Sequence, residues 1–281
     1  MRIANIKYQT IQEYFNKLGN EYKKGTCNNV FKIFNLTFKH AMRNGYIETN
    51  PIIYVECKGR KNNKTNAQQT ISYEQFQIIY DEFIRYNDSF NNQALVIALK
   101  IGYYTGARAT EVLALSKEDI DFNRNTITFN KRLECRKKDC KSYVAPMKTE
   151  SSYATLPLAK PLKDVLMKWI NDNPYENICV YEDGSYIEYS WLQAKIKRAS
   201  KKTGIQFHFH MLRHTLATNL VMNDISPAIA KNLLRHSTIK TTMDIYTHIQ
   251  MNDEQKALDT LFLDDKNTQL PQNYPKNKLI S

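Results

Sequence analysis

Five of the chain's six histidines lie between positions 208 and 248, interleaved with arginines and followed by a tyrosine. His210-Met211-Leu212-Arg213-His214 sets His210 and Arg213 three residues apart, which on a helix is one face. Upstream, Thr105-Gly106-Ala107-Arg108-Ala109-Thr110-Glu111 supplies a glycine for a tight turn, an arginine at a helix start and a carboxylate one turn later. Downstream, Leu234-Arg235-His236-Ser237 is followed by Tyr246, ten residues after His236. Arginine makes forked hydrogen bonds to the oxygens of a tetrahedral anion. Imidazole donates or accepts a proton near neutral pH. A phenol is a nucleophile that stores bond energy as a covalent ester. Together these types suit exchange at a phosphate-like centre. Two metal readings are weaker. His210 and His214 have the spacing of a zincin-like pair, but Met211 stands where its general-base Glu belongs. Cys135 and Cys140 lack a second cysteine pair. No metal and no cofactor is expected.

The elements that must position these residues are mostly helical. Apolar spacing predicts helices at 6–18, from about 26 to 44, and at 72–86, 90–104 and 109–115. Further helices are predicted at 160–171, 190–203, 211–223, 226–234, 238–248 and 253–262. Thr26 is the expected cap of the second helix, and Ser72 with Gln75 reads as a capping box. Strands are predicted at 126–129 and 154–156, with a Lys/Arg/Cys-rich stretch at 131–142 between them. Residues 56–70 are polar, basic and aperiodic, the best linker in the chain. The fold class is mainly α with a small antiparallel β-sheet. The expected domains are a helical N-terminal lobe (1–57), a linker (58–70), an α+β catalytic domain (71–263) and a C-terminal tail (264–281).

Composition narrows the partners. The formal net charge is +12, from 40 Lys+Arg against 28 Asp+Glu. Such a balance points to a polyanion, most often nucleic acid, against the plainer reading of a solvated Lys-rich surface. No apolar run approaches the roughly 18 residues that span a bilayer. The first ten residues lack the apolar segment of a signal peptide. No membrane contact is expected, and the chain is expected to be cytoplasmic. Five scattered cysteines do not make a disulfide framework.

The three segments Thr105–Glu111, His210–His214 and Leu234–His248 resemble the motifs of the tyrosine recombinase (phage integrase) family. The likeness spans about 72 to 262 and is greatest to integrases of prophages and conjugative transposons. Residues 147–158 look like the family's β-hairpin, which supplies a lysine, Lys148. The N-terminal part, with Ala41, Gly45 and Asn50-Pro51, is similar to the end of the family's core-binding domain, so the N-terminal lobe is expected to be a partial one. Arg235 stands where the family favours Gly, and it is expected either to add a phosphate contact or to crowd the site. Met211 stands where the family often has Asp, which removes a helix-capping carboxylate.

The resemblance implies a site-specific recombinase that cuts and rejoins DNA through a covalent 3′-phosphotyrosyl intermediate, integrating or excising a mobile element. Tyr246 is the implied nucleophile. Arg108 and Arg213 hold non-bridging oxygens, and Lys148 protonates the 5′-oxygen. His210 accepts the tyrosine proton or binds phosphate, His236 donates to phosphate, and Glu111 orients Arg108 or His210. His208, His214 and His248 are expected to support the site or the fold. The implied partners are double-stranded DNA, clamped between two lobes and bound in a salt-dependent way, and three further copies of the chain. The tetramer assembles on two DNA sites through segment 253–262, unless that segment packs on its own domain. A DNA-bending or excision accessory protein is a further partner. The alternatives are a chromosome-dimer resolvase of the same chemistry, a relaxing topoisomerase, and a non-catalytic DNA-binding relic.

Overall fold

A computed structural model describes residues 2–60, 70–85, 89–136, 142–149 and 152–250. The chain divides into two compact units, residues 1–67 and 68–281.

The first unit is a helical pair. Helix α1 (Tyr8–Glu21) buries Ile11 and Phe15, four residues apart on one face. Helix α2 (Lys24–Arg43) buries Cys27, Phe38 and Ala41. The Phe15 ring meets the edges of Phe31 and Phe34 at centroid distances of 5.6 and 5.5 Å. Ile52 and Val55, in the turns that follow, complete this core. A Cβ on Gly19 would fall 1.7 Å from the Lys58 carbonyl oxygen, so the returning chain requires glycine there. Helix α2 begins two residues before the expected cap, and Thr26 lies inside its first turn. The reason is a backbone partner: Lys24 N donates to Arg60 O at 3.1 Å, and Arg60 N donates to Tyr22 O at 3.1 Å. Residues 58–60 of the expected linker therefore pack on this unit, and 61–69 lie outside the described residues.

The second unit is built around helix α4 (Phe90–Thr105), which is apolar on nearly all sides and buries nine residues. All-round apolarity is what places a helix at the centre of a core. Helices α3 (Tyr73–Arg85), α6 (Lys160–Asp172) and α8 (His210–Met222) pack on it. The capping box is present at the start of α3: Ser72 N donates to Gln75 Oε1 at 3.1 Å, and Gln75 N to Ser72 Oγ at 3.2 Å. Helix α5 is a single turn, Ala109–Val112, shorter than expected. The chain leaves it so that Leu115 O can accept a hydrogen bond from Ile178 N.

Strands β1 (Ile120–Asp121), β2 (Thr126–Phe129) and β5 (Ala154–Pro157) form an antiparallel sheet in the order β1-β2-β5, with Ile127 opposite Leu156. Strands β3 (Lys131–Cys135) and β4 (Ser142–Pro146) form a separate two-stranded ladder. This corrects the expectation of a hairpin over 147–158. The hairpin is β3–β4, and only 154–157 of the predicted segment is strand, paired with β2. The Lys/Arg-rich composition hid the ladder, because each of its strands buries a single apolar residue, Leu133 or Ala145. Polar contacts cross it instead: Arg132 Nε donates to Pro146 O at 3.0 Å, and the Tyr143 hydroxyl donates to Glu134 at 2.8 Å.

Helix α7 (Tyr189–Thr203) ends at Gly204, and α9 (Pro227–Leu234) starts on Ser226 with proline in its first turn. Helix α10 (Ile239–Gln250) packs on α8 and α9. Among the described residues, no helix is long and apolar enough to cross a membrane. The predicted helix 253–262 and the tail 264–281 lie outside the described residues.

Candidate active site

The site begins where α4 stops. Gly106 takes the left-handed conformation (φ +60°) that ends the helix, and Thr105 braces the turn by donating to Ile101 O and accepting from Ala107 N. Arg108 follows as the N-cap of α5. Its backbone N donates to Glu111 Oε2 at 3.0 Å, and its Nη1 lies 2.7 Å from Glu111 Oε1. Glu111 is buried, and its charge is held by two arginines, because Arg235 Nη2 lies 2.8 Å from Oε2. Burial alone would raise the Glu111 carboxyl. The Arg235 charge and the Arg108 hydrogen bonds outweigh it and hold the carboxyl below its usual range.

Arg213 rises from the first turn of α8 and is buried. Its Nη1 donates to Gly106 O at 3.1 Å and its Nη2 donates to Leu234 O. One guanidinium thus ties the α4–α5 turn to the end of α9. Burial, then the charges of Arg108 and Arg235, push Arg213 down to about 10, which leaves it a cation at neutral pH.

His210 opens α8, and its ring meets His214 edge-on at 4.7 Å. Phe209, in the N-cap position, gives no side-chain cap. His236 follows the end of α9, with Nδ1 2.9 Å from the Thr242 hydroxyl of α10. Burial pushes both histidines down to about 4. His214 and then Arg213 add to this at His210, and Arg213 and then Arg108 at His236. Both rings are therefore neutral at pH 7 without ligand, each with one N–H to give and one lone pair to accept.

Lys148 sits on the connection from β4 to β5, exposed beside a cleft of about 460 Å³. Arg108, Thr110, Glu111, Arg132 and Met147 line the same cleft. The competing lysines of the sequence reading, Lys137, Lys138 and Lys141, lie outside the described residues, as does Cys140. Among the described residues, no group of three or more His, Cys, Asp or Glu side chains gathers as a metal site would require.

Tyr246 is placed differently. Its ring is buried with Val221 and Ala230, between α8 and α9, and its hydroxyl donates to Ile225 O rather than to His210. Burial and then the Asp224 charge raise its pKa.

The structure therefore brings Arg108, Glu111, Lys148, His210, Arg213 and His236 to one region and holds the Tyr246 hydroxyl on a backbone carbonyl. Sequence reasoning missed Thr242 and Arg132. Nor did it foresee that Arg235, expected to add a phosphate contact or crowd the site, turns inward, its guanidinium buried on Glu111 and Phe129. The signal for Arg235 was local: helix 226–234 ends without a glycine, so a larger residue had to take the left-handed position.

Comparison with known proteins gives a consistent picture. Residues 69–253 match the phage integrase family. A XerC-like tyrosine recombinase of Caldanaerobacter subterraneus subsp. tengcongensis is 27% identical over 93% of this chain and 72% of its own length. Transposase A from transposon Tn554 of Staphylococcus aureus is 28% identical over 56% of this chain, a match spanning 44% of the transposase. Among solved structures, the Tn1549 transposon integrase in complex with transposon right end DNA superposes with a TM-score of 0.74 at 19% identity, covering 93% of this chain and 87% of that one. A lambda integrase tetramer bound to a Holliday junction gives 0.62 at 18% identity, over 84% and 66%.

Proposed function

The chain belongs to the phage integrase family of tyrosine recombinases, which break and rejoin DNA strands, and from that premise we propose the roles of its residues and the reaction it serves. The observation that carries the reading is the grouping of four cations and histidines: Arg108 on Glu111, Arg213 on Gly106 O, and His210 and His236 close enough to both arginines to feel their charge, with Lys148 on the cleft that Arg108 lines.

In this reading, Arg108 and Arg213 bind the non-bridging oxygens of the scissile phosphate, in a geometry set beforehand by Glu111, Gly106 O and Leu234 O. A fixed donor of this kind is worth about 10²–10³ in rate. The Tyr246 oxygen attacks phosphorus and forms a 3′-phosphotyrosyl bond. The 5′-oxygen leaves and takes its proton from Lys148. His210, neutral before DNA binds, accepts the tyrosine proton or donates to the phosphate, and His236 donates a hydrogen bond to it. Religation runs the same steps backwards.

The substrate is double-stranded DNA, attracted by the +12 charge of the chain. The reaction is integration or excision of a mobile element, and four copies act on two sites. The likeness to a transposon transposase and a transposon integrase supports the mobile-element reading. The likeness to a XerC-like recombinase over 93% of the chain supports chromosome-dimer resolution as the second reading. A helper protein that bends DNA or favours excision is an additional partner. We place the work in the cytoplasm.

The test incubates the chain with nicked duplexes made from DNA flanking its gene, in EDTA. A denaturant-stable protein–DNA adduct is expected, absent in Tyr246→Phe. An adduct that persists in the phenylalanine variant overturns the assignment of Tyr246. Salt-sensitive binding with no adduct on any duplex overturns the enzymatic reading in favour of a DNA-binding relic.

A further inference from the structure

Arg235 combines four features that a surface arginine does not share. It occupies the left-handed region (φ +54°), as the residue that ends α9, a position glycine fills at least strain. Its side chain is 1% exposed, against 47% for Arg108. Its guanidinium lies 4.5 Å over the Phe129 ring and faces Glu111. Its Nε, Nη1 and Nη2 make no aligned hydrogen bond among the described residues, so a full charge is held in the interior by one carboxylate and one ring face. Removing either partner of such a pair strands an uncompensated charge in the interior.

The consequence is visible in the sharing of Glu111. With Arg108 as its single partner, Glu111 would cancel the charge that Arg108 has to present outward. Arg235 cannot reach outward, and it supplies the second positive charge that Glu111 faces. Its backbone position matters as well. Leu234 O accepts from Arg213, and His236 follows directly. The anchor at Arg235 thus fixes the tripeptide on which two further site residues depend.

We propose that Arg235 is a positioning residue for strand cleavage: a buried counter-charge to Glu111 that pins Leu234–His236 against α5 and leaves the charge of Arg108 uncancelled toward the phosphate. The proposal rests on the phosphate-site reading given above.

The test uses the full chain carrying Arg235→Met, Arg235→Lys and the double variant Glu111→Gln/Arg235→Met. Single-turnover adduct formation on a nicked duplex is followed across pH 5–9, with duplex affinity and thermal midpoint measured alongside. Arg235→Met is expected to bind duplex within about 3-fold of the parent and to cleave at least 30-fold more slowly, with the acid limb of its pH profile moved upward. Arg235→Lys is expected to recover part of the rate. The double variant, which removes both buried charges, is expected to cleave at least 10-fold faster than Arg235→Met. Parent-like cleavage by Arg235→Met, or a double variant no faster than a folded Arg235→Met with an unmoved pH profile, overturns the proposal. If Arg235→Met does not fold, the lysine and double variants decide on the same criteria.

A second readout needs no cleavage: the shift of the His210 and His236 ring resonances on adding inorganic phosphate. It is expected to need at least 10-fold more phosphate in a folded Arg235 variant. If the parent cleaves no duplex but this dependence holds, the recombinase reading fails and the role of Arg235 in assembling the anion site stands. Equal phosphate response in parent and variant overturns the Arg235 role alone.

Discussion

Replacing Gly106 with alanine separates the stability of the α4–α5 turn from its role in aligning arginines. The left-handed conformation at φ +60° costs an L-residue about 1–2 kcal/mol. The new Cβ would stand 3.0 Å from Leu216 Cδ2, which is half-buried and has to yield by a few tenths of an ångström. It would also lie 3.6 Å from Arg213 Cα and 3.7 Å from its Cγ, ordinary contacts that cost nothing. The control is Gly204→Ala, at φ +73° with open space around it. Both variants should lose about 1–2 kcal/mol, which for a unit of this size is roughly 2–8 °C in thermal midpoint. Their activities should part. Gly106 O accepts the hydrogen bond that orients Arg213, and Arg108 lies two residues on. A displacement of about 1 Å at such a site costs up to 10²-fold. Gly106→Ala should therefore slow adduct formation about 10- to 100-fold, while Gly204→Ala stays within about 2-fold of the parent. Melting curves and single-turnover adduct assays on both variants are the measurement. Equal activities at equal stability loss would show that the turn does not set the arginines, and the argument built on Gly106 O would fall.

Acid should destabilise the chain before carboxylates titrate. His210 and His236 are held at about 4 against 6.5 when free, so from pH 6.5 down to 4 the unfolded chain binds protons that the folded chain refuses, and stability drops as pH falls. Thermal midpoints from pH 7 to 5 should fall less steeply in His236→Gln than in the parent, and identical slopes would refute the assignment. Glu111→Ala strips a buried carboxylate from two guanidiniums and should cost about 3–5 kcal/mol in urea unfolding; a loss below 1 kcal/mol would show that the pairs do not matter to the fold. Tyr246→Phe removes one hydrogen bond, to Ile225 O, and should cost only about 0.5–1.5 kcal/mol while abolishing the adduct. A loss above 3 kcal/mol would mean that the hydroxyl has a structural task beyond that contact.

Most helices were legible because burial writes itself into sequence with a 3.6-residue period. Helix α4 was legible from its apolar spacing, and α3 from Ser72 and Gln75. The β3–β4 ladder was not, since Lys131–Cys135 and Ser142–Pro146 each bury a single apolar residue and pair through charged side chains. The start of α2 was misread at Thr26 because its stabilising partner, Arg60 O, lies more than thirty residues away. In the site, residue types and spacing were enough to pick out Arg108, Arg213, His210 and His236, since each sits at a turn or helix end that a local motif marks. Spacing carried no information on where the Tyr246 hydroxyl points, or on Arg235 turning inward. Both depend on how α9 and α10 fold back on α8, which is a tertiary matter.

The docking of Tyr246 on Ile225 O separates rate control from reactivity. With Tyr246 as the proposed nucleophile, held between α8 and α9, the expected cleavage rate is the intrinsic rate multiplied by the fraction of molecules in which its hydroxyl is released. Every 1.4 kcal/mol of docking is about a tenfold brake. The residues that set that brake, Val221, Ile225 and Ala230, are not the ones that line the arginine cleft. Loosening or tightening them is expected to change how often the chain cuts without removing any side chain proposed to hold the phosphate, although α10 also touches the site through Thr242 and His236, so the throttle and the blade of this protein are different residues joined by one contact.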